Sequence, residues 1–190
     1  MKYQAVFLDR DGTVNEEINY LNKVEQLKLI EGAAEGIRML REAGYKVVIV
    51  TNQAAIARGY LAEADLPLIH AALENMLAER GAALDAIYYC PHHPTAGVGA
   101  YKIDCECRKP KPGMLRKAAE DLDIDLQASF VVGDKLSDLG AGEAVGCRTI
   151  LVRSGYGREV EQGLAENARP DFIADDLAGA ARWILSQRRN

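Results

Sequence analysis

Two carboxylates stand close together in the sequence, directly after an apolar run near the N-terminus. In "YQAVFLDRDGTVN" the run 5–8 is followed by Asp9 and Asp11. Residues i and i+2 of an extended chain lie on one face, so the two side chains are expected to point the same way. Carboxylates that close repel each other, and a cation or a bound metal ion would relieve the repulsion. The alternative is an ordinary turn, which favours Asp and Gly.

Other reactive groups also stand at the ends of apolar runs that are typical of strands. Thr51 lies near the end of the run 45–53 and Asp134 near the end of 129–135, while Lys109 belongs to "CRKPKPG". Parallel strands place their C-terminal ends at one edge of a sheet, where ligands bind, so these groups are expected to meet there. Taken alone, each has a structural alternative: the Asp residues of "GDKLSD", for example, are also suited to capping the helix that follows.

The acidic residues of this set form a candidate Mg²⁺ site, because Mg²⁺ prefers oxygen ligands. We expect the carboxylates of Asp9 and Asp134 and the backbone carbonyl of Asp11 to bind the ion. Asp9 is then the candidate nucleophile toward a phosphate, and Asp11 the candidate general acid and base. Thr51 and Lys109 would stabilise the transferred phosphoryl group. A neighbouring carboxylate is expected to raise the pKa of Asp11, although bound Mg²⁺ opposes that shift.

Three of the four cysteines lie in one window, together with a histidine. Cys90 and His92 form a Cys-x-His pair, and Cys105 and Cys107 form a Cys-x-Cys pair. This set is typical of a closed tetrahedral zinc site with a structural role. The alternatives are a reduced loop without metal and His93 as the actual ligand. We expect zinc removal to disorder the loop and impair activity without unfolding the sheet, because the chain is long enough to form a core without zinc.

The elements that position these groups alternate along the chain. Strands are predicted at 5–8, 45–53, 84–90, 129–135, 147–153 and 171–176. Helices are predicted between them, with apolar residues at helical spacing over 33–40 and 66–77 and further helices at 112–122, 137–145 and 177–188. The alternation indicates an α/β fold with a doubly wound, mostly parallel sheet and helices on both faces. One domain over 1–190 is expected, with a zinc-binding loop at about 90–109.

Composition excludes several classes of function. Hydrophobic residues make up 48% and charged residues 27% of the 190, ordinary values for a soluble globular protein. The net charge of −5 argues against a nucleic-acid-binding surface. The first residues lack the pattern of a signal peptide, and no apolar stretch approaches the ~20 residues that cross a bilayer. We therefore predict a cytoplasmic protein, monomeric, with a small-molecule substrate and neither nucleic-acid nor membrane partners.

Four segments together resemble the motifs of haloacid dehalogenase-superfamily phosphatases. They are "FLDRDGT", "VIVTNQ", "RKPKPG" and "VVGDKLSD", and the resemblance extends over nearly the whole chain. It implies the fold of that superfamily and the roles given above for Asp9, Asp11, Thr51, Lys109 and Asp134. Asp138 matches the second acidic position of the last motif, which implies a place outside the direct metal ligands.

The zinc loop, with "YYCPHHP" and "CRKPKPGML", is similar to the heptose 1,7-bisphosphate 7-phosphatase family within that superfamily. This resemblance implies Mg²⁺-dependent removal of the C7 phosphate of a sugar bisphosphate through a phosphoaspartate. It places the substrate against the following residues: Glu17, Ile18, Asn19, Tyr20, Thr51, Asn52, Gln53, Ala54, Arg58, Arg108, Lys109 and Lys135. Ala54 and Ala55 stand where the family usually has Ser-Gly, so a hydrogen bond from that serine is absent. The short insert after the first strand predicts no large cap domain.

Three other functions stay open at this point. A histidinol-phosphate phosphatase belongs to the same superfamily branch and can share the zinc loop, although Arg58 and Arg108 favour a second phosphate over an amino alcohol. A signalling receiver domain also uses a doubly wound sheet with Asp, Thr and Lys, but it needs neither Asp11 nor a zinc loop. A DNA 3′-phosphatase is disfavoured by the acidic net charge.

Overall fold

Six parallel strands form one sheet in the computed structural model, which describes residues 2–165 and 169–188. The strand order is β3-β2-β1-β4-β5-β6, and every neighbouring pair is parallel. The strands are β1 (Ala5–Leu8), β2 (Lys46–Asn52), β3 (Ala86–Cys90), β4 (Phe130–Gly133), β5 (Arg148–Val152) and β6 (Phe172–Ala174). The predicted α/β class, the parallel sheet and all six strands are confirmed, with the strand ends shifted by a few residues, as is usual at element boundaries.

Helices connect the strands. They are α1 (Ala33–Glu42), α2 (Ala54–Ala57), α3 (Leu66–Ala78), α4 (Gly113–Asp121), α5 (Leu136–Glu143), α6 (Gly157–Gln162) and α7 (Leu177–Ser186). Short 3₁₀ turns lie at Val24–Gln26, Glu63–Asp65, Gly99–Tyr101 and Leu126–Ala128. The sequence did not predict α2 and α6, because segments this short show no helical periodicity. None of the helices in the described ranges has the length and hydropathy needed to cross a lipid bilayer.

Both faces of the sheet are buried, as the continuous apolar strands require. Side chains alternate along β1, so Val6 and Leu8 pack into one apolar cluster with α1, α3 and α7. Ala5 and Phe7 point to the opposite face and pack with residues of α4 and α5. Fully burying one such large apolar side chain stabilises the fold by about 1.5–3 kcal/mol. The two layers hold β1 rigidly at the centre of the sheet.

The order of the strands determines where a ligand fits. The chain runs outward from β1 to β2 and β3, then crosses to β4 on the other side of β1. Connections therefore leave the C-terminal ends of β1, β2 and β4 in different directions, and a crevice opens between them. Residues 9–32, between β1 and α1, contain one 3₁₀ turn and no large cap domain. The expected absence of a cap is confirmed for this part of the described chain.

Candidate active site

A cleft of about 290 Å³ opens at the C-terminal edge of the sheet, where the strands with the predicted site residues end. Asp9 directly follows β1, Asn52 ends β2, and Lys135 lies just after β4. Most of the predicted site residues line this cleft: Asp9, Asp11, Glu17, Asn19, Tyr20, Asn52, Gln53, Ala54, Arg108, Lys109 and Lys135. Their assembly at one edge follows from the parallel strands, which bring their C-terminal ends together.

The two oxygens of Asp9 have different surroundings. Oδ1 accepts hydrogen bonds from the backbone N of Arg10 (2.8 Å) and from Lys109 Nζ (2.9 Å). Oδ2 lies 4.0 Å from Lys135 Nζ and accepts no hydrogen bond from the described residues. The side chain is buried, 5% exposed, and faces the cleft. One oxygen is thus anchored while the other can act as a nucleophile.

Lys109 is a buried cation that is fixed at both its backbone and its side chain. Nζ donates to Asp9 Oδ1 and to the carbonyl of Val50 (2.6 Å), and it lies 2.7 Å from Asp138 Oδ1. The side-chain amide of Asn52 bonds to the N–H and the C=O of Lys109, each at 3.1 Å. Burial lowers the pKa of Lys109, but the charges of Asp138 and Asp9 outweigh it and leave that pKa raised. Lys109 therefore presents a permanent positive charge.

Three carboxylates, those of Asp9, Asp134 and Asp138, have oxygen atoms within 4.8 Å of one another. Asp134 Oδ2 accepts from the backbone N of Tyr156 (2.9 Å), whereas its buried Oδ1 accepts no hydrogen bond from the described residues. Burial and then the charge of Asp9 raise the pKa of Asp134 to about 8. Clustered carboxylates with a buried oxygen that lacks a partner fit a hard divalent cation such as Mg²⁺.

The hydrogen-bond partners of Asp11 and the direction of its pKa shift could not be predicted from the sequence. Its carboxylate accepts hydrogen bonds from Arg10 (2.9 Å to each oxygen), Asn15 Nδ2 (2.9 Å) and Gln53 Nε2 (3.0 Å). Burial raises its pKa, but the charge of Arg10 and these hydrogen bonds outweigh burial and lower it. The sequence left the net direction of this pKa open, since a nearby carboxylate and Mg²⁺ oppose each other, and it did not reveal the effect of Arg10. The reason is that β1 ends before Asp9 and the chain then turns, so Asp11 faces the guanidinium.

The metal ligands predicted from the sequence were Asp9, Asp11 and Asp134. The carboxylate that joins Asp9 and Asp134 in the structure is that of Asp138, not that of Asp11. Asp138 lies in the first turn of α5, where its Oδ2 also accepts from the backbone N of Lys135 (3.0 Å). A part for the Asp11 backbone carbonyl remains a prediction.

Two glycines allow the backbone to pass close to Asp134. A Cβ atom on Gly12 or on Gly155 would overlap the Oδ2 atom of that carboxylate. Both glycines also adopt positive φ angles, +89° and +55°, which side chains disfavour. Ser154 Oγ donates to the carbonyl of Gly12 (2.7 Å) and joins the two segments. The loop after β5 therefore packs directly against the carboxylate of Asp134 and helps to hold it in place.

Besides Asp134, three predicted residues lie outside the lining of the cleft: Ile18, Thr51 and Arg58. Thr51 is 1% exposed, and its hydroxyl accepts from Gln53 Nε2 (2.8 Å). The guanidinium of Arg58 lies over the ring of Tyr20, 5.5 Å from the ring centroid. Ile18 is exposed at the surface. Direct contacts of these three with substrate remain predictions.

Several lining residues were not anticipated from the sequence: Leu21, Ala55, Ser137 and Tyr156. Tyr156 makes the most contacts of these. Its hydroxyl donates to Asn19 Oδ1 (2.7 Å), and its ring lies under Lys135 Nζ, 5.1 Å from the centroid. The available signal was the segment "RSGYG" after the fifth strand, a glycine-flanked aromatic residue at the same edge of the sheet.

The Cys/His set predicted to bind zinc also comes together. The Sγ atom of Cys107 lies 2.9 Å from that of Cys105 and 3.1 Å from that of Cys90. It lies 3.7 Å from Nδ1 of His92, and the four ligand atoms are within 4.8 Å of one another. Nδ1 of His93 instead accepts N–H groups of its own loop, which favours His92 as the ligand. Three thiols and one imidazole fit tetrahedral zinc.

The zinc-site residues connect directly to the cleft through Arg108. Arg108 follows Cys107 in sequence, and its guanidinium donates to the carbonyl of His92 (2.9 Å). Arg108 and Lys109 both line the cleft. The conformation of the Cys/His loop therefore determines where two cations of the cleft lie.

Comparisons with known proteins agree with this geometry. A family model described as HAD-hydrolase-like matches residues 106–180. The chain is 48% identical over 153 residues to a D-glycero-beta-D-manno-heptose-1,7-bisphosphate 7-phosphatase of Pasteurella multocida, covering 80% of this chain and 83% of the relative. It is 42% identical over 186 residues to the enzyme of that name in Escherichia coli (strain K12), covering 97% and 95%.

A solved structure is similar over the same length. The crystal structure of D,D-heptose 1,7-bisphosphate phosphatase from B. bronchiseptica, complexed with magnesium and phosphate, has a TM-score of 0.86 and 37% identity. The match covers 97% of this chain and 99% of that one. This chain therefore belongs to the haloacid dehalogenase-like hydrolases and, among them, to the family of heptose-1,7-bisphosphate 7-phosphatases.

Proposed function

We propose that this chain hydrolyses the C7 phosphate of D-glycero-β-D-manno-heptose 1,7-bisphosphate and leaves the C1 phosphate in place. The product would serve the synthesis of ADP-heptose and of the lipopolysaccharide core. One observation carries the proposal: Asp9 lines the cleft, and Lys109 holds its Oδ1 at 2.9 Å while its Oδ2 accepts no hydrogen bond from the described residues. The names of the relatives from P. multocida and E. coli supply the sugar and its β anomer.

In the first step, Asp9 Oδ2 attacks phosphorus, and the bond between phosphorus and O7 of the sugar breaks. The product of this step is a phosphoaspartate. The positive charge of Lys109, fixed by Asn52, stabilises the negative charge that develops on the phosphoryl oxygens. We assign the hydroxyl of Thr51 the same role, because its oxygen accepts from Gln53 Nε2 while its O–H can donate to the phosphoryl group.

Asp11 moves the protons of both steps. A protonated Asp11 gives its proton to the leaving oxygen, and the ionised carboxylate then takes one from the water that attacks the phosphoaspartate. The second step releases phosphate and restores Asp9. Arg10 holds Asp11 in its ionised form, which suits the second step. For the first step, the Asp11 side chain has to separate from that guanidinium.

The carboxylates of Asp9 and Asp134, with Asp138 beside them, are the residues that we expect to hold Mg²⁺. The Asp11 backbone carbonyl is our fourth candidate for this set. When bound, Mg²⁺ would neutralise negative charge on the phosphate oxygens. Lys135, 3.7 Å from Asp134 and 4.0 Å from Asp9, adds a cation on the same side.

Arg108 supports a substrate with a second phosphate. Its guanidinium lines the cleft and is oriented by the carbonyl of His92, within the loop that we propose to be held by structural zinc. An arginine suits a phosphate better than it suits the ammonium group of histidinol phosphate, which it would repel. We propose that Arg108 contacts the C1 phosphate, while Arg58, stacked on Tyr20, stands further out.

The test is phosphate release from synthetic heptose 1,7-bisphosphate in both anomeric forms, followed by ³¹P NMR in the presence of Mg²⁺. We expect the C7 signal to disappear first, and faster for the β anomer. The variant Arg108→Met should lose activity on the bisphosphate more than on p-nitrophenyl phosphate, which has no second phosphate. Loss of the C1 phosphate first would rule out the proposed reaction.

Assays of the same purified protein distinguish two competing functions from the proposed one. A higher kcat/KM for histidinol phosphate than for the bisphosphate would assign the chain to that reaction. A receiver domain would release at most one equivalent of p-nitrophenol per chain, whereas we expect continued turnover.

We also propose that the protein acts in the cytoplasm as a monomer. Sedimentation of the purified chain would check the monomeric state.

A further inference from the structure

Tyr156 is placed to organise the mouth of the cleft, and neither the motifs nor the proposed chemistry gives it a role. It lies in the loop between β5 and α6 and lines the cleft. Its backbone N–H donates to Asp134 Oδ2 (2.9 Å), so the residue is tied to the carboxylate cluster. From this anchor its side chain reaches across the cleft to Asn19.

The segment 17–20 on the other side of the cleft is held at two points. Glu17 Oε2 pairs with Lys135 Nζ (2.8 Å), and Asn19 Oδ1 accepts from the Tyr156 hydroxyl (2.7 Å). The backbone of Asn19 has a φ angle of +70° and its N–H donates to Glu17 Oε1 (2.7 Å). A positive φ angle at a residue other than glycine needs support from its surroundings, and these contacts supply it.

Lys135 links the two contacts that hold the 17–20 segment, because it touches both Glu17 and Tyr156. Its Nζ lies over the Tyr156 ring, 5.1 Å from the centroid, within the distance at which an aromatic face attracts a cation. The same ammonium pairs with Glu17 and lies 4.0 Å from Asp9. Tyr156 therefore contacts, directly or through Lys135, both the 17–20 segment and the cations around the reacting phosphate.

We propose that Tyr156 is a positioning residue that fixes the 17–20 segment and Lys135 against the sugar, beyond the reacting phosphate. The inference rests on the proposed function, because it requires a substrate larger than the phosphate itself. A substrate that fills the cleft up to Asn19 and Tyr20 depends on this arrangement. A small aryl phosphate, bound mainly at Asp9, depends on it less.

The test compares Tyr156→Phe with the wild type on heptose 1,7-bisphosphate and on p-nitrophenyl phosphate. Loss of one hydrogen bond should raise KM for the bisphosphate by about 3–10-fold, with a smaller change in kcat. The effect should be clearly larger for the bisphosphate than for p-nitrophenyl phosphate. Tyr3→Phe is the matched control, because it removes the same atom from an exposed tyrosine that precedes β1.

Asn19→Ala, alone and combined with Tyr156→Phe, tests whether the two side chains act through each other. We expect the double variant to raise KM hardly more than either single variant, and expect amide hydrogen exchange of the 17–20 segment to quicken in all three. Independent, multiplying effects of the two variants would overturn the inference.

The outcomes for the two proposals are distinguishable. A wild type without preference for the bisphosphate overturns the proposed function, and this inference with it. A wild-type preference that Tyr156→Phe retains, with unchanged exchange of the 17–20 segment, overturns this inference alone.

Discussion

At the level of single residues, Arg10 organises the acid–base side of the cleft. It follows Asp9 in the sequence and is fully buried, and it donates to Asp11, to Gln53 Oε1 (3.1 Å) and toward His70 Nε2 (3.3 Å). An arginine has donors only, so His70 has to present a neutral acceptor nitrogen to it. The buried cation is thereby satisfied on both sides, by a carboxylate and by an imidazole.

The pairing of His70 with Arg10 predicts a pH-dependent stability. Burial, followed by the charge of Arg10, lowers the pKa of His70 to about 4. At pH values between the ordinary histidine pKa and about 4, the unfolded chain binds a proton at His70 that the folded chain does not bind. The free energy of unfolding therefore falls as the pH falls through this range. We expect the titration of His70 to lower the free energy of unfolding by about 2 kcal/mol between pH 7 and pH 5. His70→Gln keeps an acceptor and should lose less stability over that range.

Urea unfolding of the wild type and His70→Gln at both pH values measures the difference. Parallel changes in the two proteins would show that His70 takes up its proton in the folded state as well, contrary to the contact with Arg10.

The nucleophile gives the most direct prediction for activity. Asp9→Asn keeps the shape of the side chain and a bond from Lys109, but an amide does not form an acyl phosphate. We expect turnover of heptose bisphosphate and p-nitrophenyl phosphate to fall by at least about 10³-fold. Asp85→Asn, the same change far from the cleft, should keep its activity. Undiminished multiple turnover by Asp9→Asn would exclude the phosphoaspartate.

Residue types and spacing were sufficient to predict that Asp9 and Asp134 lie at one edge of the sheet, because parallel strands bring their ends together whatever the details of packing. The catalytic roles of these residues and of Lys109 remain predictions. The orientation of Asp11 was not predictable in this way. It depends on where β1 ends and on the burial of Arg10, a residue that strand alternation would have placed on the opposite face. Tertiary contacts thus decide which carboxylates cluster.

At the level of elements, the Cys/His loop is attached to its surroundings by more than its sulfur atoms. The backbone N–H of Val98 donates to the carbonyl of Ala57 in α2 (2.8 Å). The hydroxyls of Tyr101 and Tyr89 both donate to the carboxylate of Glu63, at 2.8 and 3.0 Å. The loop and the end of β3 are therefore packed against α2 and the 3₁₀ turn Glu63–Asp65. A metal ion bound by the Cys/His set would be needed mainly where the loop turns back into the cleft.

Removing zinc should accordingly impair function more than it impairs the fold. After chelation and return of Mg²⁺ alone, we expect kcat/KM to fall by about 10–100-fold, because Arg108 loses the fixed carbonyl of His92. Far-UV circular dichroism should change little, since Cys90, Cys105 and Cys107 are a small part of one apolar cluster and the other cluster contains none of the four ligands. Cys107→Ser should lose bound zinc, and Cys147→Ser, outside the cluster, should retain it. Global unfolding on chelation would contradict this.

The start of β3 is fixed by one carboxylate. Asp85 accepts from the backbone N of Val47 (2.9 Å) and pairs with Lys46 (3.0 Å) and Arg41 (2.5 Å). Burial raises its pKa, but the hydrogen bonds from Val47 and Lys46 and the two cations outweigh burial and lower it. The ionised Asp85 therefore contributes fully to the free energy of unfolding above its ordinary pKa. This contribution is lost as the pH falls through the lowered pKa of the folded protein.

Asp85→Asn should therefore lower the free energy of unfolding at pH 7 by about 1–3 kcal/mol, a range that allows for the partly exposed ion pairs. The difference from the wild type should begin to shrink below about pH 4, where the carboxyl of the unfolded wild-type chain takes up a proton. Denaturant unfolding at pH 7 and pH 3 checks both statements, and a difference as large at pH 3 as at pH 7 would argue against the ionic contribution.

Long periodic elements were predictable from the sequence, and short ones were not. The buried positions of α1 and α3 repeat with helical spacing, and β2 is apolar almost throughout. By contrast, α2 and α6 have four and six residues, and they are fixed by what they pack against. Both follow strands at the edge that forms the cleft, so the unpredicted elements lie where the site is built.

At the level of the whole molecule, topology concentrates charge that the composition does not reveal. The net charge is −5, yet the cleft contains Arg108, Lys109 and Lys135 beside its carboxylates. The sequence predicted a doubly wound sheet, but the strand order β3-β2-β1-β4-β5-β6 was visible only in the structure. That order places β1 and β4 side by side, and with them Asp9 and Asp134.

Because these two carboxylates belong to separate halves of the sheet, a divalent cation that joins them should stabilise the entire fold. An ion at 100 times its Kd contributes about 2.7 kcal/mol, which raises Tm by about 5–11 °C for a chain of this size. We expect Mg²⁺ to produce such a rise in thermal unfolding. Asp134→Asn should lose most of it, while its metal-free form unfolds no lower than the wild type, because a buried carboxyl with a raised pKa destabilises the metal-free fold at neutral pH. Asp85→Asn should retain the full rise. An equal response of Asp134→Asn and the wild type would place the cation elsewhere.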